Sequence, residues 1–208
     1  MVAIVDYGVG NLFSLQCSLN AIGAEITVTA DPEVLKSADQ VLLPGVGAFG
    51  DAAEKLRSTG LDTVLRDLAA QGKPLLGICL GMQLLFEKGY EYGEHEGLGL
   101  IKGSVVPMEG VIPQDLKIPH IGWNALKFKQ TSPLFQSIQD GDCVYFVHSF
   151  YATDCDENVI ATAEYGAELT AAVANKNVFG CQFHPEKSGT VGLEILRAFT
   201  QLKEEDLC

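Results

Sequence analysis

Positive charge is scarce in this 208-residue chain. Fourteen Lys and Arg residues stand against 27 Asp and Glu, which gives a formal charge of -13. A surface of that sign repels nucleic acid and anionic membranes, so we expect neither as a partner. The acidic tail at residues 203–208 is expected to be solvated surface.

Long apolar runs and paired cysteines are also missing. No stretch approaches the roughly 18 apolar residues that cross a bilayer, and the opening run VAIV meets Asp6 too early for a signal peptide. The six cysteines contain no CxxC pair, which argues against zinc and against a thioredoxin-like dithiol. We therefore expect a soluble, cytoplasmic protein with reduced thiols and with no metal or other cofactor.

Two nucleotide-binding fingerprints are incomplete or absent. Gly8 and Gly10 follow the first apolar run, but position 13 is Phe where a GxGxxG fingerprint needs a third glycine. The P-loop pattern GxxxxGK[ST] does not occur. The chain thus lacks the P-loop route to activation of a substrate with ATP.

The apolar pattern that is present predicts an α/β fold. Short continuous runs (VAIV, QVLL and LLGI) alternate with helical stripes in the first half. Continuous apolar strands are typical of a parallel sheet covered by helices on both faces. The second half is richer in strands, such as CVYFVHSFY, and a hairpin is expected to turn at 175–177. We expect one three-layer domain over residues 1–208, with a mostly parallel central sheet and an antiparallel extension.

A cysteine stands between two glycines in GICLGMQ, residues 77–83. Unpaired Cys is commonly a core residue, but G-x-C-x-G between a strand and a helix is typical of a nucleophile elbow. Free N–H groups at the helix start favour the reactive thiolate. The Leu80 N–H is also available to a developing oxyanion. The pattern therefore predicts Cys79 as a nucleophile.

A nucleophilic thiol needs a base, and His184 in CQFHPEKSG is the strongest candidate. Pro185 favours an extended backbone at His184. In an extended segment residues two apart point to the same side, so Glu186 can orient the ring. The pattern predicts a Cys79, His184 and Glu186 triad. The remaining histidines are assigned structural, surface or pocket-lining roles: His95, His120 and His148.

GICLGMQ together with HPE resembles the class I (triad) glutamine amidotransferases, whose glutaminase domain has a flavodoxin-like α/β fold. Within that family, PGVGAFG at 44–50, IGWN at 121–124, YFVHSFY and HPEKSG resemble the subfamily of glutaminase subunits of imidazole glycerol phosphate synthases. The resemblance runs nearly end to end. It implies glutamine as substrate and a glutamyl thioester on Cys79. It also implies a heterodimer with a cyclase subunit whose (β/α)₈ barrel uses the ammonia to form imidazole glycerol phosphate and AICAR.

The resemblance also implies the residues around the thiol. Gly45, Val46 and Gly47 join Leu80 as the oxyanion loop. The implied glutamine pocket is lined by Gln83, Glu91, His148, Ser149 and Phe150, with Glu91 facing the substrate ammonium. The implied partner interface contains Asn11, Trp123 and Lys187.

Plainer roles remain open for some of these residues. Gln83 and His148 could make ordinary hydrogen bonds in the core, Trp123 could be a core residue, and Lys187 could be solvated charge. Three other functions also remain open: the glutaminase of another synthase, a stand-alone cysteine hydrolase of similar fold, and an inactive binding subunit. IGWN and PGVGAFG count against the first, and the intact triad residues count against the last.

Overall fold

A computed structural model describes residues 1–203, and the rest of the acidic tail, 204–208, lies outside the described part. The strands follow in chain order: β1 (Val2–Val5), β2 (Ile26–Thr29), β3 (Gln40–Leu43), β4 (Leu75–Ile78), β5 (Phe86–Gly89), β6 (His95–Glu96), β7 (Ile101–Pro107), β8 (His120–Ala125), β9 (Lys127–Phe128), β10 (Cys143–His148), β11 (Phe150–Thr153), β12 (Val159–Glu164), β13 (Glu168–Asn175) and β14 (Val178–Cys181). The helices are α1 (Leu12–Ala21), α2 (Pro32–Ser37), α3 (Phe49–Thr59), α4 (Leu61–Ala70), α5 (Leu80–Leu84) and α6 (Gly189–Gln201).

The central sheet has the strand order β2-β1-β3-β4-β14-β13-β12-β9. Its first five strands are parallel, and β13, β12 and β9 continue it antiparallel. Strands β1, β3, β4 and β14 are buried along their whole length, as continuous apolar runs predict. The predicted mostly parallel sheet with an antiparallel extension is confirmed.

Helices cover both faces of this sheet. One buried cluster packs α2, α3 and α4 on the sheet and includes Leu35, Phe49 and Leu65. The other packs α1 and α6 and includes Leu15 and Ile195. Burying apolar side chains on both sides makes the three layers that the sequence predicts.

Strands from the middle of the chain onward, β5 to β8 with β10 and β11, form two smaller sheets that the sequence did not predict. One has the order β11-β7-β5-β6 and the other pairs β10 with β8. The run CVYFVHSFY, expected as one strand, is divided at Ser149 into β10 and β11, which belong to different sheets. The Ser149 carbonyl accepts a hydrogen bond from the Met108 N–H across this break (3.0 Å).

The two segments that carry the predicted triad leave adjacent strands. β14 pairs in parallel with β4, with Cys181 opposite Ile78. The chain after each strand therefore emerges at the same edge of the sheet, the carboxyl edge, where open α/β sheets place their ligands. This strand order brings residue 79 close to residue 184.

Candidate active site

Cys79 occupies a strained turn directly after β4. Its φ is 56° and its ψ is -112°, a conformation that glycine favours and that other residues hold mainly at functional sites. A Cβ on Gly77 would lie 2.5 Å from the Gly81 carbonyl oxygen, and one on Gly81 would lie 1.8 Å from the Leu43 oxygen. The two glycines thus let α5 pack directly on the sheet and hold Cys79 at the tip of the turn.

The helix that follows Cys79 is short. α5 has five residues, and β5 begins soon after it. Leu80 is its first residue, so the Leu80 N–H has no acceptor within the helix. The effect of a helix dipole falls off within the first turn, so a short helix is sufficient. The free N–H groups at the start of α5 favour an anion at the Cys79 sulfur.

His184 and Glu186 are in contact. The Nδ1 atom of His184 is 2.7 Å from Glu186 Oε1, and both side chains are 4% exposed. His184 is extended, as Pro185 predicts, but Glu186 lies in a 3₁₀ turn (Pro185–Lys187) and not in a continuous extended segment. The His184–Glu186 contact is therefore as expected, but a 3₁₀ turn makes it instead of the expected extended backbone. Because Nδ1 is bound to the carboxylate, Nε2 is the nitrogen that reaches the Cys79 thiol.

The electrostatics of the three groups favour an ion pair. Burial lowers the pKa of His184, but the hydrogen bonds and charges of Cys79 and Glu186 outweigh it and raise the pKa to about 9. Within residues 1–203, Glu186 Oε2 is buried without a hydrogen-bond partner. The carboxylate therefore depends on the adjacent imidazolium for compensation.

The loop that contains Gly45, Val46 and Gly47 lies against the elbow. A Cβ on Gly45 would be 3.0 Å from the Leu80 Cβ, so glycine permits this close approach. Gly47 has a φ of +100°, and Val46 is exposed. Tyr7 supports the loop from below by donating its hydroxyl to the Pro44 carbonyl (2.9 Å).

Three of the expected pocket residues meet at one carbonyl oxygen. The oxygen of Phe150 accepts hydrogen bonds from Gln83 Nε2 (3.3 Å) and His148 Nδ1 (2.8 Å). Burial, as the largest cause, lowers the pKa of His148 to about 4. The ring is therefore neutral near pH 7. Ser149 lies between the two strands that carry His148 and Phe150. Both buried side chains thus make structural hydrogen bonds to the same carbonyl oxygen.

Glu91 contacts the end of the segment 44–50. Its Oε2 accepts a hydrogen bond from the Phe49 N–H at the start of α3 (2.8 Å). His95 Nε2 lies 3.0 Å from the Glu91 carbonyl, and its ring packs on Gly50, where a Cβ would be 2.6 Å from Cε1. The segment that holds Glu91 is therefore joined to the loop at 44–50.

The expected interface residues lie at the surface. Trp123 is 57% exposed, so it is not a core residue. It packs edge-on against Tyr145 (6.1 Å between ring centroids), and Lys187 Nζ lies 5.9 Å from the same ring. Trp123 and Lys187 thus flank one tyrosine, whose carbonyl accepts the His184 N–H (2.9 Å). Asn11 is exposed and caps α1 by accepting the Ser14 N–H.

Sequence reasoning missed Gln182. Its side chain is fully buried, and its Nε2 lies 3.9 Å from Cys79 Sγ. Gln83 Nε2 donates to its Oε1 (3.0 Å). The available signal was its position directly after the strand that leads to His184, two residues before that histidine.

Within residues 1–203, no group of three or more His, Cys, Asp or Glu side chains is arranged to hold a metal ion. Over the same residues, no helix has the length and apolar character needed to cross a membrane.

The three-layer α/β fold, the strained cysteine turn and the buried His–Glu pair define a class I glutamine amidotransferase. The chain belongs to this family, because the family model described as glutamine amidotransferase class-I matches residues 3–202. The chain is also 49% identical over 208 residues to the imidazole glycerol phosphate synthase subunit HisH of Bacillus subtilis, which covers 99% of this chain and 98% of that protein. HisH of Sulfurimonas denitrificans is 49% identical over 205 residues, covering 98% and 99%.

Solved structures share the fold at lower identity. PurLQS from Thermotoga maritima superimposes with a TM-score of 0.74 at 23% identity, over 95% of this chain and 96% of that chain. A glutamine amidotransferase from the same organism gives 0.64 at 15% identity, over 99% and 87%. These likenesses show the fold alone, and the predicted class I glutamine amidotransferase fold is confirmed.

Proposed function

We propose that this chain hydrolyses glutamine as the glutaminase subunit of an imidazole glycerol phosphate synthase. The observation that carries the proposal is the arrangement of Cys79, His184 and Glu186. A strained turn presents the thiol to a buried imidazole whose other nitrogen is 2.7 Å from a buried carboxylate. The HisH relatives, similar over almost the whole chain, support the choice of synthase.

The proposed reaction takes place at one sulfur atom. The Cys79 thiolate attacks the side-chain carbonyl carbon of glutamine, and the His184 imidazolium gives its proton to the departing ammonia. A glutamyl thioester remains on Cys79. Neutral His184 then takes a proton from water while the water oxygen attacks the thioester carbonyl. Glutamate leaves, and the thiolate and imidazolium are restored.

Two sources of N–H groups are proposed to stabilise the tetrahedral oxyanion. One is Leu80, at the start of α5, and the other is the loop Gly45, Val46 and Gly47 that lies against it. Removing a single donor of this kind costs about 10²- to 10³-fold in rate. The exposed side chain of Val46 and the positive φ of Gly47 are consistent with a loop that can reorient its N–H groups.

The glutamine pocket is proposed to comprise Gln83, Glu91, His148, Ser149 and Phe150. Gln83 and His148 both bind the Phe150 carbonyl, and Gln83 also contacts Gln182, whose amide lies 3.9 Å from the Cys79 sulfur. Glu91 uses Oε2 to bind the Phe49 N–H, and its second carboxylate oxygen is proposed to face the substrate ammonium. Substrate binding at Glu91 would then act on the segment that follows the oxyanion loop.

The proposed partner is a cyclase subunit with a (β/α)₈ barrel, in a heterodimer. Free ammonia is protonated in neutral water and loses its nucleophilicity, so it must pass directly to the synthase reaction. A docking face around the elbow gives the shortest route. We propose Asn11, Trp123 and Lys187 on that face, because Trp123 and Lys187 are exposed beside the carbonyl that holds His184. The chain is proposed to act as one domain, residues 1–208, in the cytoplasm.

The test is glutamine hydrolysis with and without the cyclase. We expect slow hydrolysis by the free chain and faster hydrolysis once the cyclase and its ligand favour the competent state of the 44–50 loop. With the complex, glutamate and imidazole glycerol phosphate should form in equal amounts. Full hydrolysis without any partner would indicate a stand-alone hydrolase, and failure to couple with this cyclase would indicate another synthase.

A further inference from the structure

Gln182 lies beside the thiol, and the triad mechanism gives it no role. Its side chain is 0% exposed, and its Nε2 is 3.9 Å from Cys79 Sγ, within the longer range of hydrogen bonds to sulfur. Buried amides in proteins are normally hydrogen-bonded. The sulfur of Cys79 thus has two buried polar neighbours, His184 and Gln182, and the role of Gln182 needs an explanation.

A chain of hydrogen bonds decides which end of the Gln182 amide faces the sulfur. The Phe150 carbonyl oxygen can only accept, so the Gln83 atom 3.3 Å from it is the Nε2 donor. The second Nε2 hydrogen of Gln83 points to an acceptor 3.0 Å away, which must be Gln182 Oε1. The remaining end of the Gln182 amide, Nε2, then faces the sulfur. The orientation follows from what each atom can donate or accept.

The start of this chain is itself held in place. His148 Nδ1 lies 2.8 Å from the Phe150 oxygen and must donate to it. Its Nε2, the acceptor of a neutral ring, lies 3.1 Å from His120 Nδ1, which must then donate. His120 is stacked between Phe146 and Tyr165. Every member of the chain thus has a defined donor or acceptor role, from His120 to the thiol.

We propose that Gln182 donates a hydrogen bond from Nε2 to the Cys79 thiolate, and that Gln83 acts as a positioning residue that orients it. The bond stabilises negative charge on the sulfur and limits the directions in which the sulfur can point. It acts together with His184, which contacts the same sulfur. This inference rests on the proposed role of Cys79 as nucleophile, and it gives Gln83 a role through Gln182 besides its proposed place in the glutamine pocket.

The test follows the thiolate directly, without glutamine. Iodoacetamide alkylates thiolates, and mass spectrometry of the peptide containing Cys79 separates its reaction from that of the exposed Cys17 and Cys143. Gln182→Met keeps a similar volume and removes the donor. We expect Cys79 in this variant to be alkylated about tenfold more slowly at pH 7. A tenfold change corresponds to the lower end of the free-energy range for a hydrogen bond to a charged group.

Gln40→Met is the matched control. Gln40 is also buried and donates one hydrogen bond, to the Leu202 carbonyl (2.8 Å), at the amino end of β3. It should lose stability comparably while Cys79 is alkylated at the wild-type rate. A merely structural role for Gln182 predicts the same result for both variants.

Gln83→Met provides a second variant, and it decides the question if Gln182→Met does not fold. It leaves Gln182 present without the donor that orients it, so we expect slower alkylation than in the wild type. Wild-type alkylation in each folded variant would overturn the proposal. If hydrolysis by the wild-type complex fails while the alkylation effect is seen, the proposed function fails and the Gln182 contact stands.

Discussion

Two cysteines lie at the carboxyl ends of neighbouring strands of the same sheet and have different surroundings. Cys181 ends β14, is fully buried, and has its pKa raised by burial and by the charge of Glu186. Cys79 follows β4, is 8% exposed, and donates its N–H to the Cys181 carbonyl (2.8 Å). Cys79 differs in its strained turn and in its contacts with His184 and Gln182. Backbone geometry and polar neighbours, rather than burial, therefore distinguish the proposed nucleophile from a core thiol.

The largest effect should come from removing the Cys79 thiol, with removal of the Cys181 thiol as its comparison. Cys79→Ala is expected to lower glutamine-dependent turnover by about 10⁴-fold or more, as for loss of other nucleophiles, while synthesis from added ammonia stays near the wild-type rate because the cyclase chemistry lies on the partner. Cys181→Ala should retain turnover and cost about 1 kcal/mol of stability. Steady-state assays with glutamine and with ammonium salts measure both variants. Substantial glutamine turnover by Cys79→Ala would show that Cys79 is not the nucleophile.

The two strands also carry paired glycines, Gly77 on β4 and Gly180 on β14. A Cβ on Gly77 meets the backbone of Gly81 at 2.5 Å, whereas one on Gly180 meets the flexible Met82 side chain at 2.6 Å. Gly77→Ala should therefore cost roughly 3 kcal/mol and reduce activity, and Gly180→Ala roughly 1 kcal/mol. Urea unfolding measures both. Equal losses would show that the elbow is less constrained than the structure indicates.

The charge state of His184 gives a pH-dependent prediction. Its folded pKa of about 9 lies above the ordinary value of 6.5, so its stabilising contribution is fully present below pH 6.5 and is lost as the pH rises through 9. Glu186→Gln should reduce this loss by on the order of 1 to 2 kcal/mol. Unfolding free energies at several pH values measure it.

Glu194→Gln is the control for that series, because Glu194 pairs with Arg197 on the surface of α6. Its pH profile should match the wild type. Identical profiles for Glu186→Gln and the wild type would mean that the carboxylate does not hold the imidazolium.

The last expected effects concern assembly with the partner, through the surface beside the elbow, rather than the triad itself. Trp123→Ala should weaken assembly with the cyclase by about 2 kcal/mol, roughly 30-fold in Kd, because the exposed indole is proposed as an anchor. Lys187→Ala should disturb ammonia transfer. Neither should unfold the chain, since both side chains are exposed. Calorimetric titration and the ratio of glutamate to product test this, and unchanged values in both variants would place the interface elsewhere.

The sequence predicted those features that depend on local chain direction. An elbow is visible in GICLGMQ because glycines flank the thiol, and HPE places base and carboxylate two residues apart. The alternation of strands and helices likewise predicted the parallel part of the sheet. Each of these signals lies in a short stretch of sequence, and steric limits on the backbone determine the local structure of such a stretch directly.

The features that the sequence did not predict depend on distant contacts. Gln182 matters because Gln83, 99 residues away, orients its amide. Trp123 is exposed because β8 pairs only with β10 in a small separate sheet within the described residues. The bond from Phe49 to Glu91 joins segments 42 residues apart. Tertiary packing decides such contacts, and apolar periodicity carries no information about them.

We propose that the turn after β4 makes Cys79 the nucleophile toward glutamine. The most direct test is to mix the complex with glutamine, quench it in acid within one turnover, and map the cysteine peptides by mass spectrometry. We expect a glutamyl group on the peptide containing Cys79 and none on the peptide containing Cys181. Normal glutamate formation with no adduct on Cys79, or with the adduct on another cysteine, would contradict it.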